Sequence, residues 1–357
     1  MCAYGCERVC LRTQCADSGP EWPGSIVCAT QNPPKRTHLE HGAKGTLALR
    51  RCVKEAVLKS TMRSPLLLLT LLALCLWAVT LSLKICAFNV RSFGEAKVGN
   101  RRVMALLIKI ISRCDLCLIQ EVRDSKGTAI PALVRELNSL DKSRSYSHVD
   151  SKRLGKKTYK EQYVYLYRTD MLQVLEHYQY QPNLEGTAND TDVFSRDPFI
   201  VRFHSPNTMV KDFVLVGQHT CPKNAMREMD ELYSVFQAVR KEWQTENVMF
   251  LGDLNAACGY VTVKGWGLVR LKNDPRFHWL IGDKEDTTVR EKTHCAYDRI
   301  VVHGKELLSG IVPNSARPFN FKKEFRLTEE EALEVSDHYP VEVDLKPSRR
   351  YLLRHEL

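Results

Sequence analysis

The chain has 357 residues, 44% hydrophobic and 26% charged, an ordinary globular composition that allows one large domain or two small ones and excludes a fibrous or wholly disordered protein. The formal net charge is +10, and it is split: residues 1–63 hold 10 Lys or Arg against 5 Asp or Glu, the remainder 42 against 37. A mild positive field of this kind favours a polyanionic partner without naming one.

The chain-order reading begins with a targeting signal. Met62 and Arg63 lead into an uncharged apolar run from Leu66, which ends in the small residues Thr80 and Ser82. That order predicts a signal peptide over residues 62–82, cleaved before Leu83, and hence a protein secreted through the endoplasmic reticulum. The alternative is an uncleaved signal anchor, since the run is about long enough to span a bilayer. Cleavage would leave no membrane span. Residues 1–61 lack periodicity, and their cysteines show no metal spacing. They are expected to be a disordered or non-native extension ahead of a start at Met62, or a cytosolic tail if the anchor is kept.

Beyond Leu83, "LKICAFNV" predicts a strand, "RRVMALLIKIISR" an amphipathic helix and "CDLCLIQEV" an apolar strand ending on Glu121. This βαβ opening implies a parallel pair with a site at its C-terminal end. Cys114 and Cys117 have C-x-x-C spacing but fall where a helix runs into a buried strand, so buried thiols are expected rather than a redox motif. "IPALVRELNSL" predicts a second helix. "EQYVYLYR" and "MLQVLEHYQY" read as strands that pair with one another, and "FIVRFHS" and "DFVLVGQHT" as a hairpin. A long helix, "AMREMDELYSVFQAVRKEWQ", precedes three strands, "NVMFLGDLNA", "YDRIVVHG" and "HYPVEVDL". Such alternation predicts one α/β domain over residues 83–346, followed by a short basic tail, 347–357. The architecture expected is a four-layer sandwich: two packed mixed β-sheets flanked by helices.

The polar residues share one habit. Asn89, Glu121, His219, Asp253, Asn255, Asp298, Asp337 and His338 all stand where apolar strands end or begin. Singly, each is ordinary: Asn89 a turn residue, His219 a satisfied core histidine, Asp253 and Asn255 an Asx turn, Ser336-Asp337-His338 a polar strand start. Together they supply two imidazoles, several carboxylates and two amides, a set suited to metal-assisted phosphodiester hydrolysis. Carboxylate and amide oxygens suit a hard divalent ion. Two histidines can exchange protons with water and a leaving oxygen, each with a carboxylate fixing its tautomer. Ser336 reads as a turn residue of little consequence.

The stretches "LKICAFNVRSFGEAK", "LIQEVRDS", "DVFSRDPF", "GDLNAACGYV" and "HCAYDRIVV", closed by "LTEEEALEVSDHYPVEV", resemble the deoxyribonuclease I family of the endonuclease/exonuclease/phosphatase superfamily from Leu83 to about Lys346. Their details most resemble its secreted deoxyribonuclease I-like branch, the gamma and X types. The X type would carry an apolar C-terminal tail, whereas this chain ends "PSRRYLLRHEL".

The resemblance implies a monomeric endonuclease that hydrolyses DNA, free or in chromatin, with Mg²⁺ and Ca²⁺, Mn²⁺ substituting. It makes His219 and His338 the acid–base pair, with Glu161 and Asp298 as their partners. Glu121, Asn89, Asp253, Asn255 and Asp337 would gather the catalytic ion and the scissile phosphate. Arg91, Arg123, Tyr159, Arg196 and Tyr297 would hold DNA. It further implies a Cys258–Cys295 disulfide and a structural calcium loop at Asp286 and Thr288. Asp150 stands where the family places an actin-contacting valine, which makes actin binding doubtful. Asn189-Asp190-Thr191 is a glycosylation sequon. "RHEL" differs from an ER-retrieval signal and reads as chance. Two other readings remain: another phosphodiesterase of the superfamily, or a non-catalytic DNA-binding relative.

Overall fold

The computed structural model describes residues 82–155, 159–181 and 193–355. The N-terminal extension, the signal segment up to residue 81, the sequon at Asn189 and the last two residues lie outside the described residues.

Twelve strands form two six-stranded sheets. The first contains β1 (Leu83–Phe93), β2 (Leu116–Val122), β3 (Tyr146–Asp150), β4 (Gln162–Arg168), β11 (Arg317–Pro318) and β12 (Val341–Leu345), in the order β11-β12-β1-β2-β4-β3. The second contains β5 (Gln173–Gln179), β6 (Phe199–His204), β7 (Asp212–Gly217), β8 (Val248–Asp253), β9 (Phe277–Trp279) and β10 (Asp298–His303), in the order β5-β6-β7-β8-β10-β9. Among the described residues only β1–β2 and β7–β8 pair in parallel, and each pair has a helical crossover between its strands. The parallel opening pair and the β6–β7 hairpin thus agree with the sequence pattern.

Alternation along the strands sorts side chains into layers. Ile85, Leu118, Tyr165 and Val343 of the first sheet meet Phe203, Leu215, Leu251 and Ile300 of the second in a dry central core. Phe88 and Ile119 point the other way and pack under helix α2 (Arg101–Ile111), after the short helix α1 (Glu95–Gly99), and under α3 (Ala129–Leu140). Helix α2 turns Val103, Leu107 and Ile110 inward at three- and four-residue spacing. It starts at Asn100, whose side chain accepts from the amides of Arg102 and Val103. Val214, Val216 and Phe250 pack outward under α4 (Ala225–Trp243) through Met229, Leu232 and Phe236. Helix, sheet, sheet, helix is the four-layer sandwich expected.

Two expectations fail. β4 and β5 do not pair. β4 is buried on both faces, at Tyr163, Val164, Tyr165 and Leu166, so it needs a neighbour on each edge and takes β2 and β3. β5 is largely exposed and forms the edge of the other sheet, against β6. Three strands have no counterpart in the sequence pattern: β3, β9 and β11. Cys114 is not a thiol: it is bonded to Cys86, while Cys117 stays free and buried, with burial pushing its thiol pKa up. The second disulfide joins Cys258 and Cys295, the pair that the resemblance implied.

Candidate active site

The strand ends converge on one edge of the sandwich, and their side chains form one network. His219, two residues past β7, is 6% exposed, and its Nδ1 lies 2.8 Å from Glu161 Oε1. His338, just before β12, has Nδ1 2.8 Å from Asp298 Oδ2 at the start of β10. Each ring nitrogen facing a carboxylate fixes the tautomer and aims Nε2 at the site. Both Nε2 atoms face the same oxygen, Asp253 Oδ2 at the end of β8, at 3.4 and 3.6 Å. The Asn89 amide donates to that oxygen at 3.2 Å and to Glu121 Oε1 at 3.1 Å, so it bridges two carboxylates. Its own oxygen accepts from the Arg91 amide. Asn255 is tied by its amide to the Thr220 carbonyl. Asp337 lies at the rim, 3.8 Å from Arg91 Nε.

The charges follow from this geometry. Burial and the Arg196 guanidinium oppose an imidazolium at His219, but Glu161 and Asp253 outweigh them and raise its pKa. Burial likewise opposes the charge on His338, yet Asp298 and Asp253 carry it well above its ordinary value. Burial raises Asp298 despite His338, whereas the two histidines hold Asp253 low against its own burial. Glu161 is fully buried, but His219 and Arg196 keep it ionised.

The residues expected to meet DNA divide into two groups. Arg91, Arg123, Tyr159 and Tyr297 are at the surface. The Arg123 guanidinium lies 4.3 Å over the Tyr159 ring, and Tyr297 packs on Tyr260 at 5.3 Å beside His338. Arg196 instead turns inward: its Nε is 3.1 Å from Glu161 Oε1 and 2.9 Å from the His219 carbonyl, and it also donates to the Thr220 carbonyl. It supports the histidine more than it faces solvent. Asp286 and Thr288 lie behind His338. The Thr288 hydroxyl is 2.6 Å from both Asp286 Oδ1 and the Thr293 carbonyl, while His294 takes the other Asp286 oxygen.

Four supporting residues were not foreseen. Gln120, fully buried at the end of β2, donates to the Gln218 carbonyl at 2.7 Å and accepts from the Asp253 amide at 2.9 Å, pinning the two sheets together under the site. Gly252, at φ +127°, allows this approach: a Cβ there would lie 2.4 Å from the Gln218 carbonyl oxygen. Glu228 of α4 accepts from the Ser195 and Cys221 amides and from the Gln218 side chain, clamping the segments that carry Arg196 and His219. Lys97 of α1 donates to the Val90 and Val335 carbonyls, and burial with Arg91 nearby brings its pKa down to about 8. A buried glutamine in "LIQE" and a glutamate on the inner face of a helix were the only visible hints; Lys97 in "GEAK" gave none.

The model of the Endonuclease/Exonuclease/phosphatase family matches residues 86–338. This chain belongs to that family, in its deoxyribonuclease I branch. It is 51% identical over 273 residues to deoxyribonuclease gamma of Mus musculus, covering 76% of this chain and 87% of the relative. It is 49% identical over 286 residues to deoxyribonuclease-1 of Sus scrofa, covering 80% and 99%. The solved endonuclease/exonuclease/phosphatase from Bacteroides vulgatus shares the fold, with a TM-score of 0.52 at 14% identity over 75% of this chain and 99% of that one. Membership implies a divalent metal, and Asp253, Asp298 and His338 each place one ligand atom within 4.8 Å of the others. No described helix is long and apolar enough to cross a membrane.

Proposed function

We propose that this protein is a secreted, divalent-cation-dependent endonuclease that hydrolyses DNA phosphodiester bonds with two histidines. One observation carries the reading: two imidazoles, each oriented at Nδ1 by a buried carboxylate, direct Nε2 at a common oxygen. A phosphate seated there would have one Nε2 within reach of the attacking water and the other within reach of the leaving oxygen. His219 and His338 then perform complementary transfers, one taking a proton and the other giving one. Glu161 and Asp298 hold the rings and stabilise the charged form of each.

The oxygens of Glu121 and Asp253, drawn together on the two sides of the Asn89 amide, are the donor set a hard cation prefers, with Asn255 and Asp337 beside them. When bound, Mg²⁺ or Mn²⁺ would neutralise charge on the scissile phosphate. Asp286, Thr288 and the Thr293 carbonyl offer converging oxygens for a structural Ca²⁺. Arg91, Arg123 with Tyr159, and Tyr297 line the approach to this site and suit a nucleic-acid backbone by charge and by ring faces. Actin inhibition is not expected, because Asp150 is an exposed carboxylate paired with His148 at 2.7 Å, and burying it in an apolar contact is costly. The reading extends to residues 62–82 as a cleaved signal peptide, which two disulfides suit, and to Asn189 as a glycosylation site.

The test is plasmid nicking in EDTA, in Mg²⁺ and in Mg²⁺ with Ca²⁺, for the wild type and for His219→Ala and His338→Ala. Metal-dependent nicking is expected, with each variant losing about 10²–10⁴-fold in rate. A folded His338→Ala protein that nicks at the wild-type rate overturns the mechanism.

A further inference from the structure

A cavity of about 380 Å³ lies behind the catalytic strand start, outside the residues assigned above to proton transfer, catalytic metal or DNA contact. Tyr339, the residue after His338, lines it, and Thr288, another lining residue, bridges in the backbone to His338 itself. Its walls carry more positive than negative charge. The two acids present are already engaged: His294 lies on Asp286 at 2.9 Å, and Lys322 donates to Glu291. Arg290, Lys323 and Arg326 remain, all exposed and lining the same hollow, and none of them forms an ion pair among the described residues. Arg326 is held at φ +54°, a backbone region that bulky residues rarely enter. With both acids of the wall already engaged, these three cations leave it net positive, and the arrangement gains by taking an anion.

We propose that this cavity is a phosphate site that holds the backbone of the DNA strand beyond the scissile bond. The inference rests on the nuclease reading, which places DNA at His338, and it adds a contact on the side of the site away from Arg123 and Tyr159. A calcium ion at Asp286 would reinforce it by adding positive charge to the same wall. An internucleotide phosphate fits better than a base, because guanidinium and ammonium groups read charge, not sequence.

The experiment measures binding of a short labelled duplex in EDTA, where there is no turnover, across a salt series. Wild type is compared with Arg290→Ala/Lys323→Ala/Arg326→Ala, both checked by circular dichroism. These side chains are at the surface, so folding should survive. Loss of one phosphate contact should lower the slope of log K against log salt by ~0.9 and weaken binding several-fold, with nicking in Mg²⁺ reduced chiefly through KM. If wild type binds and cuts DNA and the triple variant matches it in slope, affinity and KM, this inference alone falls. If wild type neither binds nor cuts, the nuclease reading falls and takes this one with it. If inorganic phosphate raises the unfolding midpoint of wild type alone while both proteins bind DNA equally, the cavity holds a free ion and the proposal is overturned.

Discussion

Ser336→Ala should damage both stability and turnover, although the sequence presents Ser336 as an incidental turn residue. The side chain is fully buried at the end of helix α5 (Glu329–Val335). Its hydroxyl donates to the Asn89 carbonyl at 2.6 Å and accepts from the His338 amide at 3.1 Å. One hydroxyl therefore joins β1 at Asn89, whose amide bridges the Glu121 and Asp253 carboxylates, to the residue that carries the second imidazole. Alanine removes both bonds and leaves a buried amide and a buried carbonyl short of a partner. Each such loss costs about 1–3 kcal/mol, so the pair should cost about 2–6 kcal/mol, a large part of the stability of an ordinary domain.

The effect on turnover follows from position. His338 Nε2 faces Asp253 Oδ2 at 3.6 Å only while its backbone is held, and a displacement of about 1 Å at a reacting group costs roughly 10²-fold. Urea unfolding and plasmid nicking are measured on the same preparation, with Ser309→Ala as control, since that exposed hydroxyl only turns back on its own helix carbonyls. DNA binding should survive in both. A Ser336→Ala protein with the unfolding midpoint and nicking rate of wild type would refute the reasoning.

Three other outcomes are expected. Cys86→Ala/Cys114→Ala opens a bridge with a sequence separation of 28 and should cost about 3–4 kcal/mol in chemical denaturation under oxidising conditions, whereas Cys117→Ala removes only a buried thiol and should leave the disulfide count by mass spectrometry unchanged. Glu342 is 1% exposed, and although burial alone would raise its pKa, Lys84, Arg113 and Arg317 hold it below the ordinary 4.5; its contribution is therefore complete above about pH 4.5 and lost as pH falls through the lower folded value, so Glu342→Gln should be destabilised at neutral pH and show a flatter acid unfolding curve than wild type. Glu228→Gln puts an amide nitrogen against one of three donors and should lower kcat roughly 10-fold or more with KM for DNA little changed, because the displaced group is His219; equal loss of both constants in a partly unfolded protein would point to a purely structural role.

The layers were legible because they depend on periodicity. The three- and four-residue spacing of α2 and the apolar runs of β2, β8 and β10 allow one burial pattern each, and the polar residue ending each run had to lie on a shared edge. Pairing was less legible. β4 and β5 both look like strands, but which edge each offers depends on burial of the partner, and nothing local in "EQYVYLYR" reports that the chain then crosses to the other sheet. The Cys86–Cys114 bridge was hidden for the same reason. C-x-x-C spacing drew attention to Cys117, while the partner of Cys114 is set by the parallel pairing of β1 with β2, which places Ile85 beside Leu116. Gln120, Glu228 and Lys97 escaped because each acts on backbone groups of distant segments, and a sequence names no partner for such a bond.

The strain in the backbone follows the same line between what is local and what is not. Eight described non-glycine residues have positive φ, and four of them, Arg91, Ser92, Glu121 and Asn255, at 39°, 57°, 57° and 47°, lie beside the site. Side chains other than glycine enter this region at a cost of order 1–3 kcal/mol. Arg91 and Ser92 lie late in β1, Glu121 late in β2 and Asn255 two residues past β8, and Glu121 and Asn255 carry a carboxylate and an amide of the site. The register of β1 against β2 shifts there, between Asn89 and Phe93, and so does that of β2 against β4, between Ile119 and Val122. A glycine at 121 would relax the turn but remove the carboxylate that Asn89 bridges to Asp253. The strain persists because the site needs a functional side chain where the backbone alone would prefer none.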